Sequence, residues 1–98
     1  MKYIIFDTPK GQYKIKLIKI AEHRANYYSI IDNFNKGSDD WKQEVDYVMN
    51  DNFEGIGWIL NNTDFEDWAD VCEKINDKVL VTDNDFWTSS DNFEIKEL

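Results

Sequence analysis

One histidine, one cysteine, two closely spaced glycines and a pair of late aspartates are the residues of this 98-residue chain whose type and spacing would do chemistry. His23 sits between Glu22 and Arg24, and a single imidazole makes no zinc site without other soft ligands near it. It reads as a surface or boundary histidine. Cys72 is flanked by Asp70 and Glu73, whose negative charge opposes thiolate formation, so the sequence predicts a buried core cysteine rather than a nucleophile. Gly55 and Gly57 make half of a phosphate-binding glycine fingerprint, but no strand leads into them and no third glycine follows. A tight turn between the second and third helices accounts for them. Asp83 and Asp85 open like a calcium loop, which needs an oxygen ligand at the fifth position, glycine at the sixth and glutamate at the twelfth. Those positions hold Trp87, Thr88 and Glu94, so only the last fits. Among 20 acidic residues no two stand out as a catalytic carboxylate pair. The expectation is a protein with no catalytic, cofactor-binding or metal-binding residues, hence not an enzyme.

The charge itself is the remaining constellation. The formal net charge is −9, from 11 basic and 20 acidic side chains. It is unevenly spread: residues 1–37 carry seven basic groups against three acids, a balance of +4, and residues 38–98 carry four against seventeen, a balance of −13. Over residues 38–73 the acids Asp39, Asp40, Glu44, Asp46, Asp51, Glu54, Asp64, Glu66, Asp67, Asp70 and Glu73 face Lys42 alone. Such a field repels nucleic acid and anionic membranes and steers basic partners inward. On a helix this density gives a charge about every 5 Å of axis, against about 3.4 Å along one DNA strand. Several acidic segments side by side would approach the charge density of a duplex. These eleven acids are therefore the candidate partner-binding residues, and a solvated, solubilising face is the plainer alternative.

Periodicity predicts the strands and helices that carry these groups. The chain has the length of a single domain, 1–98, with one core, and 42% hydrophobic and 15% aromatic residues argue against disorder. Lys2 to Asp7 reads as a strand, Thr8 to Gly11 as a turn, and the alternation of Tyr13, Ile15 and Leu17 with Gln12, Lys14 and Lys16 as a returning strand with one wet, basic face. Ile20, Arg24, Tyr27, Tyr28 and Ile31 step by three or four, which predicts a helix over about 18–33. Asn33 to Gly37 breaks it, and Ser38 with Asp39 and Asp40 starts a second helix carrying Trp41, Val45, Val48 and Met49. Phe53, Ile56, Ile59 and Leu60 form a third, short helix stopped at Asn61 and Asn62. Thr63 with Glu66 reads as a capping box that opens another helix through Phe65, Trp68, Cys72 and Ile75. Val71 to Ile75 is equally compatible with a strand pairing with Val79–Val81. Val79 to Val81 reads as a strand, Thr82 to Asp85 as a cap for a helical turn bearing Phe86 and Trp87, and Phe93 with Ile95 as a last strand. The fold class expected is α+β, a small antiparallel sheet of the N-terminal hairpin and C-terminal strands packed with three to four short helices.

Tyr3 to Phe6 is cut at Asp7, too short for a secretory core, no run approaches a membrane span, and Cys72 has no disulfide partner. Together these predict a cytoplasmic protein. The stretches Thr8 to Gly11, Ile20-Ala21-Glu22, Arg24-Ala25-Asn26-Tyr27-Tyr28, Glu44 to Asp51, Asn61 to Asp64 and Phe86 to Ser90 resemble small acidic bacteriophage proteins of unassigned function. That resemblance implies a phage or mobile-element accessory in the host cytoplasm that binds a host protein, with inhibition of a nucleic-acid-binding or defence enzyme by nucleic-acid mimicry as one form. The expected partner is a basic or nucleic-acid-binding protein, not nucleic acid or membrane. A self-associating assembly protein, a homo-oligomer joined through Trp58, Trp87 or Phe86, is the alternative, since four tryptophans exceed what a small core needs.

Overall fold

The computed structural model describes residues 1–78 and 86–98. It shows an α+β fold: β1 (Lys2–Thr8), β2 (Gly11–Lys16), α1 (Leu17–Ile31), α2 (Asp39–Met49), α3 (Glu54–Asn62), β3 (Glu73–Asn76) and β4 (Phe93–Glu97), with short 3₁₀ turns at Phe65–Asp67 and Ser90–Asn92. The antiparallel sheet has the order β3-β2-β1-β4. Its hairpin closes as the turn residues require, since Thr8 Oγ1 donates to the Gly11 carbonyl at 2.9 Å and accepts from the Lys10 N–H at 3.0 Å.

Strand alternation sorts the sheet into two faces. Ile4, Ile15 and Ile95 stand in one cross-strand row and Phe6, Tyr13 and Phe93 in the next, and on these rows the helices pack. Phe6 anchors an aromatic cluster with ring centroids 5.3 Å from Phe93, 5.4 Å from Trp87 and 6.1 Å from Phe65. Leu17, Ile20, Ala21 and Ala25 of α1, Val45 and Val48 of α2, and Ile56, Trp58 and Ile59 of α3 complete the core. The opposite sheet face carries Tyr3, Ile5, Lys14, Lys16, Glu94 and Lys96. Ile5 is nonetheless buried there, flanked across the strands by Lys14 and Glu94.

Helix ends follow local chemistry in two cases. Ser38 accepts from the Trp41 N–H at 3.3 Å to start α2. Asn33 takes a positive φ of 58° after α1, and the Phe34 N–H reaches the Ser29 carbonyl at 3.0 Å, a Schellman-type stop. In the next segment the structure corrects the sequence. The capping box belongs to Asp64 and Asp67, whose carboxylate accepts the Asp64 N–H at 2.7 Å, because the Thr63 hydroxyl is spent donating to the Ile59 carbonyl and accepting from the Trp68 indole. This box opens a single 3₁₀ turn, Phe65–Asp67, instead of a helix through Ile75. Residues 73–76 then pair with β2, across a register shift between Gln12 and Tyr13. The predicted strand Val79–Val81 and the cap Thr82 to Asp85 lie outside the described residues.

Gly55 and Gly57 also differ from expectation, since both lie inside α3. A Cβ on Gly55 would stand 2.9 Å from Leu17 Cδ1 and 3.4 Å from Val48 Cγ1, whereas the nearest atom to one on Gly57 is Asn61 Nδ2 at 4.0 Å. Gly57→Ala is therefore expected to stabilise the protein by about 0.5–1 kcal/mol through helix propensity alone. Gly55→Ala, which gains the same but overpacks against a fully buried leucine, is expected to destabilise it by about 1 kcal/mol net. Urea unfolding of the two variants checks this, and equal shifts would refute the close approach.

Candidate functional site

Helices α2 and α3, the loop between them and the turn after them carry ten of the eleven acids, and Glu73 lies apart on β3, beside Lys14 on the opposite face of the sheet. Six of the eleven have a partner. Glu44 Oε2 lies 2.6 Å from Arg24 Nη1, and Glu54 Oε1 lies 3.4 Å from Arg24 Nε. Asp51 accepts the Phe53 and Glu54 N–H groups, each at 2.8 Å, and so caps α3. Asp64 and Asp67 cap the 3₁₀ turn, and Glu73 reaches Lys14 at 3.7 Å across β2 and β3. The other five, Asp39, Asp40, Asp46, Glu66 and Asp70, are exposed and form no ion pair among the described residues.

The two hydrogen bonds at Asp51 hold its carboxyl below the ordinary value of 3.8. A depressed folded value means that the cap's contribution is complete above the ordinary range and is lost as pH falls through the folded value. Asp51→Asn keeps a neutral acceptor there. Its melting temperature is expected to fall less than that of the wild type between about pH 5 and pH 3, and parallel melting profiles would count against the cap.

Arg24 organises the centre of the helical layer. Its side chain is only 9% exposed, with its guanidinium 4.7 Å from the Tyr28 ring centroid and 5.2 Å from that of Tyr47. Helical periodicity places Arg24 on the buried face of α1, but nothing in the sequence names Glu44 and Glu54 as its partners.

His23 is exposed, in keeping with a surface or boundary histidine. His23 Nδ1 accepts the Trp58 indole N–H at 3.0 Å, and the imidazole ring lies 5.0 Å from Trp68. Cys72 is half-buried, not a core residue, and its Sγ lies 3.5 Å from the Ala69 carbonyl. Burial, with a smaller push from Asp70, raises its thiol above the ordinary value. Reaction with a disulfide reagent at pH 8 is expected to be at least about 10-fold slower in the folded than in the urea-unfolded chain. Equal rates would show the thiol to be open. Among the described residues no three His, Cys, Asp or Glu side chains stand close enough to hold a metal ion.

The four indoles are all hydrogen-bonded within the molecule: Trp41 to Asn26 Oδ1 at 2.9 Å, Trp58 to His23, Trp68 to Thr63 Oγ1 at 2.8 Å, and Trp87 to the Ile59 and Thr63 carbonyls at 3.1 and 3.0 Å. Trp58 is buried, and Phe86 and Trp87 pack against the core. Exposure falls instead on Tyr27, Ile30 and Ile31 at the end of α1, on Tyr47, and on Phe53, with Ile30 and Phe53 at 82% and 78%. Helical periodicity counts Tyr27, Ile31 and Phe53 among the inward-facing residues, and the structure turns all three out.

No helix among the described residues is long and apolar enough to cross a membrane. No family model, curated protein or solved structure matches the chain.

Proposed function

We propose that this chain is a non-catalytic protein-binding protein whose acidic helical layer engages a basic surface on another protein. The observation that carries this reading is the set of five exposed carboxylates, Asp39, Asp40, Asp46, Glu66 and Asp70, that no cation neutralises among the described residues. Unpaired surface charge contributes little to stability and much to association rate and partner choice. The last turns of α1 and α2 also lack basic residues, so their partly negative helix ends add to the same field.

In its sharper form, the carboxylates stand in for nucleic-acid phosphates on an enzyme of the host in which a phage protein would act. Duplex DNA must then compete with the chain for that partner. Simultaneous binding would remove the mimicry while leaving the protein–protein reading intact.

Neutralising the five unpaired acids to Asn or Gln spares every cap and ion pair of the layer. Wild type is expected to bind a lysine-rich peptide in dilute buffer and to lose about 10-fold or more in affinity between about 20 and 300 mM salt. The neutralised variant should bind weakly at both. Affinity that is indifferent to salt, or unchanged in the variant, would leave the acids with solubility as their role.

A further inference from the structure

We propose that the exposed apolar ridge of Tyr27, Ile30 and Ile31 on α1, Tyr47 on α2 and Phe53 at the start of α3 is the contact centre for a cationic amphipathic helix of a partner protein. This deepens the protein-binding reading above and rests on it. Apolar side chains scattered singly over a surface need no explanation, but these are linked. Tyr27 stands 5.3 Å from both Tyr28 and Trp58, and the Tyr28 and Tyr47 rings both pack against the Arg24 guanidinium. The Tyr47 hydroxyl meets Glu54 Oε2 at 3.5 Å, and Phe53 precedes Glu54 in the chain. The ring contacts thus join the end of α1 to α2 and, through Glu54, to the start of α3, and helical spacing sets Ile30 and Ile31 one turn on from Tyr27.

The rings at the base of the ridge also have packing partners of their own. Tyr28 and Tyr47 are held against a side chain that is itself buried and claimed by Glu44 and Glu54, and Tyr27 rests on the buried Trp58. Rings fixed in place lose little entropy on binding, which is what makes aromatic groups effective anchors.

Charge selects the occupant. The cation against the ridge rings is Arg24, and it already faces two carboxylates. Helical spacing puts Asp40 on the same face of α2 as Glu44 and Tyr47, so the α2 border of the ridge is acidic. A second copy of this chain would bring the same acids, the same committed arginine and a net charge of −9 against −9. A helix with leucine-like side chains on one face and lysine or arginine beside them satisfies both the ridge and its border. Arg24 to Ile31 spans about 10 Å of α1, so about two turns of a partner helix match it.

Three peptides of about 18 residues discriminate the possibilities when titrated by calorimetry into the full chain in dilute buffer: an amphipathic Leu/Lys helix, the same peptide with Leu replaced by Ser, and a Leu/Glu helix. Wild type is expected to bind Leu/Lys about 10-fold tighter than Ser/Lys, the contribution of one or two apolar side chains, and not to bind Leu/Glu. Ile30→Asn combined with Phe53→Asn changes two exposed positions. It should abolish the preference for Leu/Lys and leave Ser/Lys binding as in wild type, with unchanged circular dichroism. If the two cationic peptides bind alike, or the double variant keeps the preference, the ridge is overturned as the contact centre while the acidic reading survives. Failure of both cationic peptides to bind would overturn the two proposals together, and tight binding of Leu/Glu would overturn the cationic occupant. Dimerisation of wild type in sedimentation, lost in the double variant, would assign the ridge to self-association and overturn the proposal.

Discussion

Arg24→Ala is expected to lower the stability of this protein by about 3 kcal/mol, measured by urea unfolding. The side chain is 9% exposed and bridges α1 to Glu44 of α2 and Glu54 at the start of α3. Its removal leaves two carboxylates facing each other without a counter-ion and takes the filling from between Tyr28 and Tyr47. Glu44 and Glu54 are each about one-third exposed, so water relieves part of their repulsion and holds the cost to the lower end for a broken buried pair. Adding Glu44→Gln and Glu54→Gln to Arg24→Ala should recover about 1 kcal/mol or more, because the charges left behind are then gone. A loss below about 1 kcal/mol for Arg24→Ala alone would show that the cluster is an ordinary surface ion pair.

Gly11→Ala is expected to be as damaging, at about 3 kcal/mol, for two independent reasons. The residue sits at φ 134°, a region that side-chain-bearing residues enter only at a cost of about 1–3 kcal/mol. A Cβ there would also drive into the backbone carbonyl oxygen of Asn76 on β3, which cannot swing aside as a flexible side chain can. Gly37 provides the control. Its φ is 80°, but a Cβ would meet nothing within 4 Å, so Gly37→Ala should cost only about 1 kcal/mol. Amide exchange distinguishes the two causes: Gly11→Ala should release protection across residues 73–76 ahead of global unfolding, and uniform loss over the whole sheet would argue that the clash with β3 is not the reason.

Elements governed by neighbours in sequence are legible without the structure. Thr8 to Gly11 carries its own turn chemistry, the alternation from Gln12 to Lys16 needs no partner to be read, and Ser38 with Asp39 and Asp40 announces α2 within one turn. The readings that fail depend on distant groups. Thr63 has the right chemistry for a cap, but the Trp68 indole and the end of α3 take its hydroxyl, and the box moves one residue on to Asp64. A strand within Val71–Ile75 is legible as the alternative to a helix, but residues 73–76 are all exposed and nothing in them names β2 as the partner. The acids are countable from the chain, yet their division into six with partners and five without turns on Arg24, on Lys14 and on backbone N–H groups that composition does not locate. The outward Ile30 is absent from the predicted stripe, whereas Tyr27 and Ile31 fit it and still face out. A periodic pattern shows which side chains share a helical face, and only packing shows where along that face the core ends.

The four internally bonded indoles give the molecule two optical channels. Each tryptophan makes an interior hydrogen bond, so a red shift of the emission on heating or in denaturant is expected to mark the opening of the fold. Tyr27 and Tyr47 lie outside, and the Tyr27 ring, 5.3 Å from Trp58, passes its excitation to that indole. A ligand seated on the ridge would change emission excited through tyrosine while leaving emission excited through tryptophan alone nearly constant. Occupancy and unfolding can thus be followed in one sample, with no dye attached.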